Sequence, residues 1–286
     1  MRFVAKLTLV ASMAALCAGV IGSAQPAAAF TNIGRTVAAG NDFSLVLGSN
    51  GIAMGFGVNY WGQLANSTNN NTVIANPVPS VIDPSNLVAI AAGHTWGVGL
   101  DSFGRVWTFG NNMYGQLGRS ANAGTNNPNP VSTLVAGLSN VTAIAAGQEH
   151  TLALRSDGTV WGFGTNGFGE LGSAIPVGNM TTTPVKIPGL SNIISISAGG
   201  GHSLALGADG SIWAFGTNYF GQLGNTENNG VGGGSNPTPR KIELLASVAR
   251  HLRGHELQPR VDVRRRGVGV RFEWQRRAGA YREPDR

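Results

Sequence analysis

Apolar and polar positions alternate with a period of two through most of the chain, the periodicity of a strand rather than of a helix. In the stretch His150 to Arg155, His150, Leu152 and Leu154 alternate with Thr151, Ala153 and Arg155, and Val160-Trp161-Gly162-Phe163 follows after Asp157-Gly158. This pattern predicts a β-hairpin, and Asp-Gly suits the positive backbone angles of a two-residue type I′ turn. Asp209-Gly210 and Asn50-Gly51 fall in the same slot, with Phe103-Gly104 as the weakest copy. Short apolar segments at Leu87 to Ala92, Val141 to Ala146 and Ile193 to Ala198 predict a further strand ahead of each hairpin. Pro-Val units such as Pro130-Val131 and Pro184-Val185 open a fourth.

These strands recur in a repeat of about 53 residues. Gly62-Gln63-Leu64-Ala65 returns as Gly115-Gln116-Leu117-Gly118, Gly169-Glu170-Leu171-Gly172 and Gly221-Gln222-Leu223-Gly224, at spacings of 53, 54 and 52 residues. Phe-Gly (Phe56, Phe109, Phe163, Phe215) and Ala-Gly (Ala39, Ala92, Ala146, Ala198) keep the same three spacings. Trp107, Trp161 and Trp213 precede three of the Phe-Gly pairs, and Met54 stands in the first copy. Four short strands per repeat describe a propeller blade, and one blade alone cannot bury its aromatic rings, so stability must come from stacking copy on copy. Glycine at Ala-Gly and Phe-Gly lets neighbouring backbones approach, while Trp and Phe fill the space between sheets.

The order Ala-Gly, His, Leu-Ala-Leu, Asp-Gly, Trp-x-Phe-Gly-x-Asn, Gly-Gln-Leu-Gly is plainest from Ala146 to Gly172 and from Ala198 to Gly224. It resembles the repeat of the regulator of chromosome condensation family, over roughly residues 36 to 247. The resemblance implies an all-β protein, a β-propeller of four-stranded blades that in the family is usually seven-bladed. Four copies make an incomplete ring, which is the main departure from the family pattern.

Composition agrees with many short strands: 43 glycines in 286 residues, without the every-third spacing of collagen, and 12% charged residues. The formal net charge of +6 is unevenly spread. Residues 30 to 247 hold 7 Lys+Arg and 9 Asp+Glu, whereas residues 248 to 286 hold 11 Arg and 5 acids. The body therefore gives no electrostatic reason to expect nucleic acid or an anionic membrane as partner.

The first 29 residues read as a secretory signal peptide: Arg2 and Lys6, an apolar run from Leu7 to Ile21, then Ala27-Ala28-Ala29 before Phe30. Cys17, the single cysteine, lies inside it, so the mature chain is expected to have no disulfide and no thiol chemistry. A lipoprotein reading of Cys17 is poor because Leu16 precedes it. An uncleaved anchor is the other alternative, although fifteen apolar residues are short for a bilayer span.

After Ser247 the composition changes abruptly. Asn, with 25 occurrences between residues 30 and 247, disappears, and Arg dominates. A basic disordered tail and an Arg-rich arm for nucleic acid are two readings of residues 248 to 286. A third explains more. If each codon from Arg250 onward gives up its first base to the preceding frame, a permissible choice of third bases reads Ala-Ile-Ser-Ala-Gly, then Ser-Leu-Ala-Leu-Thr-Ser-Asp-Gly, then Val-Trp-Ala-Phe-Gly-Ser-Asn-Gly-Asn-Gly-Glu-Leu-Gly. That is a fifth repeat in order. On this reading His251, His255 and Arg264-Arg265-Arg266 carry no role.

Candidate chemistry is sparse. His150 and His202 share one column of the repeat with Trp96 and Phe43, a column of packing residues in which each imidazole is expected to be satisfied by backbone groups. His94 stands two positions away from that column, and no Cys or carboxylate pair completes a metal site. Asp157 and Asp209 read as turn residues rather than acid and base. The run Gly230 to Gly234 lacks the Lys-Ser/Thr of a phosphate cradle and reads as a flexible loop. No catalytic, cofactor or metal residues are therefore assigned, and no cofactor is expected.

The segments after each Gly-Gln-Leu-Gly (Asn66 to Asn76, Arg119 to Pro130, Ser173 to Thr183, Asn225 to Pro237) are rich in Asn, Thr, Gly and Pro. They read either as surface loops for a protein or glycan contact or as tolerated connections. The expected function is an exported, non-enzymatic propeller scaffold for protein or cell-surface interactions. Alternatives are a secreted inhibitor of an extracellular enzyme and a polysaccharide-active propeller enzyme. Some members of the family exchange guanine nucleotides on a nuclear GTPase and bind chromatin, a task that an export signal argues against. N-terminal sequencing of the protein recovered outside the cytoplasm is expected to begin at Phe30; a membrane-bound product beginning at Met1 would establish the anchor instead.

Overall fold

The computed structural model describes residues 37–230 and 234–242. The expected signal peptide and the basic segment 248–286 lie outside the described residues. Sixteen strands form four antiparallel sheets, each a meander of four consecutive strands. Blade I is β1 (Val37–Ala39), β2 (Phe43–Leu47), β3 (Ala53–Gly57) and β4 (Asn76–Ile82). Blade II is β5 (Leu87–Ala92), β6 (Trp96–Asp101), β7 (Val106–Gly110) and β8 (Thr133–Leu134). Blade III is β9 (Val141–Ala146), β10 (His150–Arg155), β11 (Val160–Thr165) and β12 (Met180–Lys186). Blade IV is β13 (Ile193–Ala198), β14 (His202–Gly207), β15 (Ile212–Thr217) and β16 (Ser235–Lys241). The first strands lie side by side, β1 by β5, β5 by β9 and β9 by β13. The four sheets are not closed into a ring.

The alternation in sequence forms the expected hairpins, but the turn differs from a type I′ turn. Only the glycines have positive φ (Gly51 76°, Gly158 74°, Gly210 82°), whereas the preceding Asn50, Asp157 and Asp209 do not. The Gly158 amide donates to the Arg155 carbonyl at 3.0 Å, and the Arg155 amide to the Thr159 carbonyl at 3.0 Å. This is a three-residue loop, a type I turn followed by glycine in a bulge. The aspartate earns its place through its side chain: Asp157 Oδ1 accepts the Thr159 amide at 3.0 Å, and Asp209 Oδ1 the Ser211 amide at 2.9 Å. At Phe103-Gly104, where that residue is missing, Asp101 Oδ1 from the end of β6 accepts the Phe103 and Arg105 amides instead.

The fourth strands also depart from expectation. Pro130-Val131 precedes β8, and Pro184-Val185 lies inside β12 rather than opening it. β4 and β16 likewise carry prolines in mid-strand, at Pro77, Pro79, Pro237 and Pro239. Each of these strands has a neighbour on one side only, so a missing N–H leaves no ladder bond unmade.

The core is a series of layers between blades. Phe109 is buried with Leu45, Leu64 and Ile82 of blade I, Phe163 with Val98, Val106 and Leu117 of blade II, and Phe215 with Leu152, Val160 and Ile187 of blade III. The phenylalanine of each Phe-Gly therefore fills the sheet that precedes it. The glycine after it is equally constrained: Gly164 has φ 107°, and a Cβ there would stand 2.4 Å from the Glu149 carbonyl oxygen. Trp107, Trp161 and Trp213 are only partly buried, with their indole N–H groups on Asp101, Thr159 and Ser211, and Arg105, Arg155 and Lys241 over their rings.

Burial follows directly from stacking. Every residue of β6 is buried, because blade II is covered on both faces, whereas β2 and β14 alternate buried and half-buried residues. Leu152 and Leu154 are buried in blade III, while their counterparts Leu204 and Leu206 in blade IV are half-exposed. Phe56 is likewise half-buried. Phe163→Ala is expected to cost about 3–5 kcal/mol and Phe56→Ala less than half of that, read as the shift in urea denaturation midpoint at unchanged slope. Equal losses would mean that the interblade layers do not carry the stability.

Candidate functional site

In each meander the turn between the first two strands and the long loop between the last two emerge on the same rim. The β2–β3 type hairpins and the links between blades emerge on the other. The candidate site is the rim of the long loops.

Each long loop is organised by one buried asparagine, Asn59, Asn112, Asn166 or Asn218. Its Oδ1 accepts the amide of the leucine in the Gly-Gln-Leu-Gly block at 2.8–3.0 Å. Its Nδ2 donates to two loop carbonyls, those of Asn66 and Thr68 in blade I and of Arg119 and Ala121 in blade II. All four side-chain hydrogen-bond positions of a buried amide are costly to leave empty, so this residue ties the loop to the blade. A second network spans three of the loops. Asn69 donates to Asn76, Asn122 to Asn129 and Asn228 to Asn236. Asn76, Asn129 and Asn236 in turn donate to the carbonyls of Gly57, Gly110 and Gly216. Asn69, Asn122 and Asn228 all have φ between 54° and 57°, a left-handed conformation that asparagine tolerates. Blade III lacks this network and has a short 3-10 turn at Gly172–Ala174. The loops are thus held by internal hydrogen-bond networks, and Asn76, Thr181 and Asn236 at their ends belong to strands.

Beside the asparagine sits a glutamine or glutamate. A side-chain oxygen of Gln63, Gln116, Glu170 and Gln222 accepts, at 2.8 Å, the amide of Trp61, Tyr114, Phe168 and Phe220 respectively. One aromatic per blade is thereby fixed on the rim. Tyr114 and Phe168 are 40% and 42% exposed and Phe220 is 85% exposed. Trp61 is half-buried and pairs edge to face with Tyr60, as Phe220 does with Tyr219. The asparagine is the last residue of the Trp-x-Phe-Gly-x-Asn block, but sequence reasoning assigned it no role, and the aromatics were passed over although they keep a constant offset, one residue before the first glycine of Gly-Gln-Leu-Gly.

The residues singled out from sequence fall as follows. His150 is wholly buried, and its Nε2 lies 3.0 Å from Ser203 Oγ of the next blade. Its Nδ1 has no partner, so the expected satisfaction by backbone groups is corrected: a neighbouring hydroxyl does it for one nitrogen. Burial, and secondarily the nearby His202, push its pKa down to about 3, which keeps it neutral. Trp96 and Phe43 of the same column are buried, and Trp96 Nε1 donates to the Gln148 carbonyl of blade III. His202 is half-buried. His94 stands in the β5–β6 turn, on the loop rim. Asp157 and Asp209 lie on the opposite rim, exposed; the Ser211 hydroxyl and amide hold the Asp209 carboxyl down to about 2. The run Gly230 to Gly234 falls partly outside the described residues. Among the described residues no three His, Cys, Asp or Glu side chains gather as a metal-ligand set.

Glu170 is a titratable group on this rim that burial shifts strongly. It occupies a buried position that holds glutamine in the other three copies. Burial raises its pKa to about 7, opposed by the Phe168 amide and reinforced by the nearby Glu149 carboxylate. Glu149 is itself raised by burial, with His94 acting against the rise.

Comparison with known proteins identifies the architecture. The Regulator of chromosome condensation (RCC1) repeat matches residues 104–154, 157–206 and 209–252, just over half of the chain. The chain belongs to the RCC1 repeat family. Its RCC1 units are out of phase with the blades: the unit 104–154 supplies β7 and β8 to blade II and β9 and β10 to blade III. Among relatives, the ultraviolet-B receptor UVR8 of Arabidopsis thaliana is 28% identical over 231 residues, covering 79% of this chain and 50% of the receptor. Protein pim1 of Schizosaccharomyces pombe is 30% identical over 238 residues, covering 76% of this chain and 43% of pim1. The chain spans about half the length of the first curated relatives it matches. Yeast RCC1 (Prp20), solved bound to Kap60, superposes with a TM-score of 0.64 at 22% identity, over 78% of this chain and 51% of that one. Human WBSCR16 superposes with a TM-score of 0.62 at 21% identity, over 72% of this chain and 50% of that one. The structure is an RCC1-type β-propeller of four-stranded blades.

Glu170 yields a pH-dependent prediction. Its folded pKa lies above the usual 4.5, so the folded state holds the proton more tightly than the unfolded chain. Its stability is therefore greatest below about pH 4.5 and falls as pH rises to 7, by about 3 kcal/mol as an upper estimate. Glu170→Gln is expected to stabilise the protein at pH 8 and to change it little at pH 4.5, measured by urea denaturation at both values. An unchanged pH profile in the variant would remove Glu170 as its source.

Proposed function

We propose that this RCC1-repeat protein is an exported, non-enzymatic scaffold that binds a protein partner through the rim of its long loops. The observation that carries the reading is the arc of outward aromatics, Trp61, Tyr114, Phe168 and Phe220, one per blade and each fixed by a side-chain bond to its own amide. Rigid aromatic groups gain contact area at little entropic cost, and the asparagine-rich loops around them supply hydrogen bonds at the edge of such a patch. Relatives support a protein partner: yeast Prp20 is described with Kap60 and in its binding to Gsp1p and histones. Fold does not transmit the identity of a partner, and the signal peptide expected at residues 1–29 supports an extracellular or envelope setting for the proposed role. In that setting the proposed role is adhesion or inhibition rather than nucleotide exchange.

The described carboxylates of the rim do not favour catalysis: Glu170 is buried in the place of a structural glutamine, Glu149 is half-buried, and the exposed Asp42 and Glu227 lie on blades I and IV, Glu227 paired with Arg240 at 2.8 Å. Tyr114→Ser combined with Phe220→Ser is expected to weaken partner capture from culture supernatant or isolated envelopes at least tenfold without lowering stability. Asp157→Ala, on the opposite rim, is expected to leave capture unchanged. Capture insensitive to the rim pair, or hydrolysis of a glycan panel by the purified protein, would overturn the reading.

A further inference from the structure

We propose that the face of blade IV left open by the described residues is the seat of a fifth blade, and that its occupant is the repeat encoded one base out of phase from the codon of Arg250 onward. The proposal concerns how the propeller continues and does not depend on what the rim binds.

The three junctions between blades share a set of occupied slots. On the loop rim, the first glycine of Gly-Gln-Leu-Gly packs against the end of the next blade's loop. A Cβ on Gly62 would stand 2.6 Å from Pro130, on Gly115 2.7 Å from Thr181, and on Gly169 2.8 Å from Pro237. On the opposite rim the hairpin glycine packs against the link to the next blade, Gly51 at 2.9 Å and Gly158 at 3.0 Å from the backbone of Asn86 and Asn192. Between them, at the second and third junctions, the residue after the histidine column reaches back to the preceding blade, whereas Gly97 holds this place at the first. Thr151 Oγ1 donates to the Gln116 carbonyl at 2.8 Å, and Ser203 Oγ to the Glu170 carbonyl at 2.8 Å while lying 3.0 Å from His150 Nε2.

Blade IV presents the same slots with no occupant among the described residues. Gly221 meets only Asn229 of its own loop, and Gly210 meets nothing within 4 Å. His202 and the Gln222 carbonyl repeat the pair that holds Ser203, but no described residue supplies the hydroxyl. Leu204, Leu206 and Ile212 are half-exposed where Leu152, Leu154 and Val160 are buried. The face therefore calls for a second strand bearing a hydroxyl between the histidine column and a Leu-Ala-Leu run, and for a Phe-Gly to fill it.

The alternative frame supplies those residues in register. Its Ala-Gly ends at the codon of Gly254 and its phenylalanine is read from the codons of Val270 and Arg271, each 55 positions after Gly199 and Phe215. Its serine, read from the codons of Gln258 and Pro259, stands 55 positions after Ser203. Leucine, alanine and leucine follow it. In the frame as translated these positions hold Gln258, Pro259 and Val270, which offer neither the aromatic nor the Leu-Ala-Leu run.

The first test is the nucleotide sequence from the codon of Ala246 to beyond that of Arg286. The expected result is third bases that give serine at codons 258 and 259 and phenylalanine at codons 270 and 271, in a frame that stays open through the repeat. A stop codon, or third bases that break the motif, overturns the proposal. The second test is carbethoxylation by diethyl pyrocarbonate, mapped by mass spectrometry, on the full chain and on the same chain carrying the one-base change at codon 250. In the full chain His202 is expected to react at least tenfold faster than His150; in the changed chain both are protected, and the serine-to-alanine substitution in the new repeat speeds His202 again. Protection of His202 in the unchanged chain that grows with protein concentration would place a second copy on this face and overturn the assignment to a fifth blade.

Discussion

The structure depends on one contact repeated at every junction, the insertion of a phenylalanine from one blade into the sheet before it. Phe109, Phe163 and Phe215 are buried where residues of their own sheets meet the aliphatic side chains of the preceding one. The following glycine, held at positive φ, lets its strand close on the neighbouring strand of the same blade to a distance that any side chain would forbid. Stability is therefore a property of junctions rather than of blades. This explains why blades II and III are buried on both faces while blades I and IV show alternating exposure in strands of nearly the same sequence.

Much of this was legible in the residues because the repeat leaves so little freedom. Three blocks in constant register, period-two alternation and a turn signal in each copy lead to four-stranded blades without reference to any coordinate. The turn type was misread because Asp-Gly serves two geometries. The deciding factor is whether the aspartate side chain or its backbone angle does the work, and at Asp157 the side chain bonds the Thr159 amide. The fourth strands were blurred because an outermost strand tolerates proline and irregular register, so no periodicity marks where β8 or β12 begins.

The rim was less legible for a different reason. Asn59 and its equivalents recur in the repeat motif, but only the fold shows that they are fully buried and hold the loops from within. The exposed aromatics carry no chemical signature of their own. Their meaning comes from lying on one rim, which follows from the meander and from no local sequence. Glu170 is the opposite case: its substitution for glutamine is visible in sequence, but its raised pKa becomes apparent only once its position is known to be buried.

The offset between RCC1 units and blades has an evolutionary consequence. Each unit ends with the inner half of one sheet and begins with the outer half of the sheet before it. Removing the stretch 157–208, from the start of one unit to the start of the next, would join β9 and β10 to β15 and β16, which is again a complete four-stranded sheet with its hairpin in place. Unequal recombination between units therefore adds or removes whole blades and never leaves a torn one. A lineage built this way can change the diameter of its propeller, and with it the spacing of whatever the rim displays, through single crossover events in the gene.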